Sequence, residues 1–241
     1  MFLLPANLLP PKEAERLLTL DHYDVLDSMQ EPVFDELVSL AAHIFGLPMS
    51  LLALVGTDEV VYKARYGLPN LTHQARNEAI CSLAVRDRHT VLLTDLTQEP
   101  QRHRLTAAAD AAAQAKGLRF YAGVPLRMPD QCVIGTLCVI GREPRVLSAQ
   151  ELQVLEYLGH LAERVMVVRH SCLVCNWLVP EHWQLVQDYI AAELRRLATS
   201  VRSLKEQAGS QLPTPPALLL VVIRRLNELS SILAEPLPGF A

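Results

Sequence analysis

The chain has 241 residues, with 22 Lys+Arg against 26 Asp+Glu and a formal net charge of −4. This excludes nucleic-acid binding driven by a basic surface, because phosphate neutralisation needs clustered positive charge. Half of the residues are hydrophobic and 20% are charged, which excludes a disordered chain and provides for a core burying roughly 70–75% of the unfolded surface. Five cysteines without a framework spacing point to reduced thiols rather than a disulfide scaffold.

The opening Met1-Phe2-Leu3-Leu4-Pro5 is only briefly apolar, lacks a basic start and is broken by Pro5, Pro10 and Pro11, so it does not read as an export signal. Residues 1–30 are expected to form an N-terminal arm and a short helix. A strong helix is predicted from Pro32 to Phe45, where Phe34, Leu37, Val38, Ala41, Ile44 and Phe45 keep helical spacing and Gly46 with Pro48 supplies the stop. Met49–Val55 reads as a buried strand, Gly56–Glu59 as a turn and Val60–Tyr66 as the hairpin partner. Further strands are predicted at Val91–Leu93, Arg119–Leu126 and Cys132–Ile140, with Gly123 and Gly135 marking bulges or close backbone approach. This order defines an α+β fold with a mainly antiparallel sheet.

Ser148-Ala149-Gln150-Glu151 is a capping box opening a long helix, in which Leu152, Leu155, Leu158, Ala162, Val165 and Arg169 form a stripe. The stripe fits packing on the chain's own sheet or a seam to a second copy. A helix over about 176–208 carries Ile190, Leu194, Leu197, Val201 and Leu204 at heptad-like spacing. A last helix over about 216–234 repeats the pattern with Leu219, Val222, Leu226, Leu229 and Leu233. The expectation is a helical hairpin with coiled-coil character that helps build a homodimer, with packing on the first domain as the alternative. Leu152, Leu155, Ile190, Leu194, Leu197, Val201, Leu226 and Leu229 would then face a dimer mate or a partner. The apolar run Ala217–Ile223 is far short of the ~20 residues of a spanning helix, so a cytoplasmic protein without membrane contact is expected.

Residues 16–168 resemble a GAF domain of the kind found in bacterial sensor histidine kinases, diguanylate cyclases and related signalling proteins. The resemblance rests on segments in the family's order. They are Tyr23-Asp24-Val25-Leu26-Asp27, Phe34-Asp35-Glu36-Leu37, Ile44-Phe45-Gly46, Tyr62-Lys63-Ala64-Arg65-Tyr66-Gly67-Leu68, the Arg76-to-Cys81 helix, Arg119-Phe120-Tyr121-Ala122-Gly123-Val124-Pro125-Leu126, Ile134-Gly135-Thr136-Leu137-Cys138-Val139-Ile140 and the helix entry from Pro144 to Ser148. It implies a central antiparallel sheet between helices, residues 31–170 as the GAF domain and 171–241 as a helical extension. The implied role is regulatory and non-catalytic: a small molecule or partner acts on the pocket over the sheet, and terminal helices carry the response, with a separate signalling protein as a possible partner. The family's usual pattern is departed from at Val61, at Gly141 and in the Ala-rich stretch Thr106–Lys116, which reads as a short helix bordering the pocket. These departures leave the ligand and any cofactor unnamed.

Cys81, Asp95, Arg119, Tyr121 and Cys138 are the candidate pocket residues. Cys81 fits a redox sensor, a ligand attachment point or plain core packing. Bilin-binding relatives place His after the attachment cysteine, and Ser82 stands there, which disfavours a covalent bilin. Free-methionine-sulfoxide reductases also use this fold, but their His-x-Ala-Cys segment is absent, so reductase activity through Cys81 or Cys138 is the enzymatic alternative. Cys132 and Cys138 lie six apart on one predicted strand and are expected on one face, ~20 Å apart. His170, Cys172, Cys175 and His182 have metal-like spacing but lack the usual paired histidines, and a packed helix junction without metal is expected. A purely structural dimerisation module is the remaining alternative.

Overall fold

The computed structural model describes residues 9–26, 31–174, 180–207 and 214–234. In chain order the elements are α1 (Glu13–His22), α2 (Pro32–Phe45), β1 (Met49–Val55), β2 (Glu59–Tyr66), β3 (His73–Ala75), α3 (Ser82–Asp87), β4 (Val91–Leu93), α4 (Glu99–Arg102), α5 (Ala107–Ala115), β5 (Phe120–Arg127), β6 (Val133–Gly141), α6 (Ala149–Val174), α7 (Pro180–Gln207) and α8 (Pro216–Ile232). The six strands pair antiparallel in the order β3-β2-β1-β6-β5-β4. The predicted α+β class and antiparallel sheet are therefore present. β3 and α4 carry too few residues for a periodic signal and were not foreseen.

Strand alternation sorts the core into two. Along β1, Leu52 and Leu54 join the cluster under α2 and α6, whereas Leu51, Ala53 and Val55 join the cluster on the opposite side, which includes residues of α3 and α5. Strand β6 repeats this: Leu137 and Val139 belong to the first cluster, Cys138 and Ile140 to the second. The central strands are buried on both faces, which explains their continuous apolar runs.

The alternation slips at Lys63 in β2, which is an extra residue opposite Leu52 and Ala53, and again at the start of β6. Leu126 pairs with Gly135 and Arg127 with Val133, so Ile134 is an extra residue, and Val133 falls in the same cluster as Cys138 despite the odd spacing. Cys132 and Cys138 therefore do not share a face as expected; the bulge reverses the phase between them, and Cys132 sits half-buried at the hairpin end. A side chain at Gly135 would collide with the Ala53 carbonyl oxygen, so the glycine allows the close approach of β1 at this bulge.

Helix α6 opens as its sequence dictates. The Ser148 amide donates to Glu151 Oε2 at 2.9 Å and the Glu151 amide donates to Ser148 Oγ at 3.2 Å. Glu151 is fully buried and also accepts from Arg145 Nη2 at 2.6 Å. This corner receives the end of α2, where Arg145 donates to the Phe45 carbonyl, and Thr214 Oγ1 and Lys205 Nζ both donate to the Ile44 carbonyl at 2.6 and 2.5 Å. Unpaired carbonyls at a helix C-terminus favour such cations.

Most of the heptad-like residues pack within this chain, while Leu204 is exposed. Leu155, Ile190, Leu194, Leu197, Val201, Leu226 and Leu229 are buried in the cluster that also contains α2 residues, and Leu152 is half-buried. Helix α7 lies chiefly on α2 and α8 chiefly on α6, rather than on each other. The spacing that fits a coiled coil fits packing on a neighbouring helix of the same chain equally well. The boundary expected between residues 170 and 171 falls within α6.

Candidate functional site

The segment leading to Cys81 is fixed from below. Arg76, almost fully buried, donates to Glu13 Oε1 at 2.5 Å, to the Gly56 carbonyl at 3.0 Å and to the Thr57 carbonyl at 3.3 Å. Arg16 shares Glu13 and donates to the Val55 carbonyl at 2.6 Å. These two arginines hold the Glu13 carboxyl below its ordinary range against the opposing effect of burial. Ser82 Oγ then donates to the Arg76 carbonyl at 2.8 Å. Arg76–Glu78 form a single 3-10 turn and Cys81 is the N-cap of α3, so the helix expected to include Arg76 and Cys81 starts only after them.

The anchored cysteine meets the central strand. Cys81 Sγ and Cys138 Sγ lie 3.8 Å apart, both buried. Tyr121, two strand positions before Gly123 on β5, lies against the pair. A methyl at Gly123 would come within 2.8 Å of Tyr121 Cζ and 2.9 Å of Cε1, and closer still to the hydroxyl oxygen, so the bare glycine is what accommodates the ring. The Tyr121 hydroxyl is buried with no hydrogen bond of ordinary geometry, yet it stands near enough to Cys81 to help hold that thiol's pKa down.

A cavity of about 30 Å³ adjoins this group, lined by Cys81 and Tyr121 together with Leu51, Tyr62, Ile80, Leu118 and others from α5 and the β2–β3 loop. Its polar mouth is a short chain: Tyr62 donates to Gln74 Oε1 at 2.9 Å, and Lys116 Nζ donates to the same oxygen at 3.5 Å. A water needs ~10–15 Å³ of such space, so the cavity takes species of one or a few heavy atoms. Ligand pockets for larger molecules are roughly ten times this size or more.

The two thiols titrate as a unit. The hydrogen bond from Cys138 is the main influence lowering the Cys81 pKa, with Tyr121 and the Lys116 charge acting in the same direction. Burial raises that of Cys138 well above the ordinary thiol value. The first proton therefore leaves the Cys81 side, and the second is retained at Cys138. Burial pushes both Tyr62 and Tyr121 upward, so both stay protonated; Tyr62 donates to Gln74, whereas the Tyr121 hydroxyl keeps its proton without a conventional acceptor.

Thus the structure brings together three of the five residues singled out from the sequence: Cys81, Tyr121 and Cys138. Asp95 and Arg119 lie elsewhere. They form a two-pronged ion pair, with both N···O distances 2.9 Å, beside a surface groove that includes Arg102, Asp110 and Gly117. Arg119 holds the Asp95 carboxyl well below its usual range. Arg119 precedes β5, so the strand alternation that directs Tyr121 inward does not govern it. Sequence reasoning missed Tyr62, Gln74 and Lys116; Lys116 ended the segment read as bordering the pocket and Tyr62 began a segment that carries the family resemblance, but Gln74 carried no signal. The predicted helix over Thr106–Lys116 is present as α5, with Thr106 Oγ1 accepting from the Ala109 amide at 2.9 Å.

The metal-like cluster does not assemble among the described residues. Cys172 is buried in the helical core, His170 stacks against His22 and Tyr23 with centroids 4.4 and 5.0 Å away, His182 is exposed, and Cys175 lies outside the described residues. Among the described residues no group of three or more His, Cys, Asp or Glu is placed to hold a metal ion, and no helix is long and apolar enough to cross a membrane.

A six-stranded antiparallel sheet with helices on both faces and a small pocket on one of them defines a class of α+β domain built on one central sheet. The GAF domain model matches residues 30–167, and the chain belongs to the GAF domain family. Among curated proteins, a cyclic di-GMP phosphodiesterase of Pseudomonas aeruginosa is 28% identical over 170 residues, 70% of this chain; the match spans only 28% of that enzyme's length. Among solved structures, the PixJ GAF domain of Thermosynechococcus elongatus in its blue-light absorbing form aligns with TM-score 0.47 and 17% identity, covering 66% of this chain and 95% of that one. The free methionine-R-sulfoxide reductase of Neisseria meningitidis, in complex with its substrate, aligns with TM-score 0.45 and 19% identity, covering 68% and 92%.

Proposed function

We propose that this chain is a non-catalytic sensory module, in which a small molecule or partner acts on the cavity lined by Cys81 and Tyr121, with Cys138 behind Cys81, and the response is carried by α6, α7 and α8. The observation that supports it is the placement of the cavity one strand-thickness from those helices. Cys138 borders the thiol site, while its neighbours Leu137 and Val139 are packed into the cluster shared by α2, α6, α7 and α8. A shift of β6 that relieves strain on one side must be answered on the other, because close-packed cores transmit displacement. The effector must favour one helix arrangement over another, since equal affinity for both shifts nothing. Leu185, Tyr189, Leu220, Val221 and Ile232 remain exposed on α7 and α8, and on these we place a second copy of the chain or a signalling partner.

The test is native mass spectrometry of the full chain, followed by amide hydrogen exchange with any copurifying molecule present and removed. Altered protection in α7 or α8 supports the reading; unchanged protection with a bound molecule refutes it. The thiol pair also favours a second reading, the thiol-dependent reductase. Turnover of free methionine sulfoxide that disappears in Cys81→Ser would establish that enzyme instead. The small cavity favours a third, the filled structural module, which predicts no thermal shift with any metabolite and an unaltered dimer.

A further inference from the structure

We propose that Cys81 and Cys138 are a peroxide-oxidisable dithiol that closes reversibly to an intramolecular disulfide, making this face of the sheet a redox-responsive site. This rests on the sensory reading above and names the kind of effector that fits it. Three features of the site carry it. The sulfur atoms are 3.8 Å apart on two separately anchored elements, the N-cap of α3 and the centre of β6. A disulfide of ~2.05 Å needs them to approach by less than 2 Å in total. The adjoining cavity of about 30 Å³ admits a molecule the size of hydrogen peroxide and excludes an amino acid or nucleotide. The buried Tyr121 hydroxyl lacks a conventional partner and is a donor available to an entering oxygen.

The chemistry balances with hydrogen peroxide as oxidant. The Cys81 thiolate attacks one peroxide oxygen, the O–O bond breaks, and Cys81 becomes a sulfenic acid as hydroxide departs. Cys138 sulfur then attacks the Cys81 sulfur, the S–O bond breaks and the S–S bond forms. The Cys138 proton and the proton released in forming the Cys81 thiolate leave with the two oxygens as two waters. Two thiols have lost two electrons and peroxide has gained them; an external dithiol such as dithiothreitol reverses the state by exchange. The buried environment of Cys138 keeps the second thiol protonated until the sulfenic acid forms beside it.

The full reduced chain is treated with stepwise hydrogen peroxide, quenched with catalase, alkylated under denaturing conditions and mapped by peptide mass. The expected result is a linked Cys81–Cys138 peptide pair lighter by two hydrogens, formed before Cys132 is consumed and reversed by dithiothreitol. Recovery of both cysteines as alkylated peptides while Cys132 oxidises overturns the proposal, as does a bridge joining any other pair. The same experiment on a variant carrying Cys132→Ser, Cys172→Ala and Cys175→Ser leaves only the two site thiols; the bridge must persist there. Hydrogen exchange then separates the two readings. A disulfide that forms without altering α7 or α8 upholds the dithiol and refutes the sensory reading, whereas a metabolite that alters those helices without any bridge forming does the reverse.

Discussion

Gly123→Ala probes the pocket wall directly. The new methyl would lie inside the contact distance of the Tyr121 ring, and Tyr121 is fully buried, so the ring must shift toward the thiols and the small cavity. Overpacking of this kind costs about 1–3 kcal/mol, while replacing glycine by alanine within a strand returns about 0.5–1 kcal/mol of backbone entropy. The net expectation is a destabilisation of about 1–2 kcal/mol, read as a lowered urea midpoint at constant slope and a Tm lower by about 2–8 °C. Tyr121→Phe alone should be nearly neutral, since it removes a buried hydroxyl that has no conventional partner. In the double variant the closest clash is gone, so a favourable coupling of at least about 0.5 kcal/mol is expected. A Gly123→Ala protein as stable as its parent, with additive double-variant energies, would refute the packing of Tyr121 over Gly123.

Glu151→Ala removes the reciprocal cap and leaves the Arg145 guanidinium, only 11% exposed, without its carboxylate; a loss of about 3–5 kcal/mol is expected in denaturant titration, and a loss below about 1 kcal/mol would contradict that role. Burial and the nearby Arg145 charge bring Lys205 down to about 8, with Glu151 acting the other way. Between about pH 8 and 10.5 the unfolded chain therefore binds more protons at this lysine than the folded chain does, so Lys205 makes stability rise with pH across that window. The difference in urea midpoint between parent and Lys205→Met should show this rise, and a flat difference would count against it. Asp95→Asn should leave the reactivity of Cys81 unchanged, because the Asp95–Arg119 pair lies apart from the cavity; altered Cys81 alkylation would show the two to be linked.

Much of the sheet was legible because hydrophobic runs bounded by turn residues have few alternatives. Met49–Val55 and Val91–Leu93 were read with the observed ends, and the capping box placed the start of α6. The bulge at Ile134 was hidden because Cys132–Ile140 is apolar on both faces apart from the single buried Thr136, and one polar residue does not fix the phase of a run. Gly135 marked the place without revealing that alternation reverses there. Cys81 and Cys138 were each singled out, but not as a pair: they are 57 positions apart, and only the strand order, with β6 central and α3 laid over it, brings them together. The destination of α7 and α8 was open for a different reason, since spacing of apolar residues states that a face is covered without stating by what.

The family match ends at residue 167, whereas the apolar cluster beneath α2 continues through Leu194, Val201, Val222 and Leu226. The inherited module and the cooperative folding unit thus have different borders. An excised fragment ending at the family boundary would carry a bare apolar side on α2 and invite aggregation. A chimaera that transplants this module must bring α7 and α8 with it or furnish substitutes of matching shape, so these two helices are a structural dependency of the domain as well as its proposed conduit.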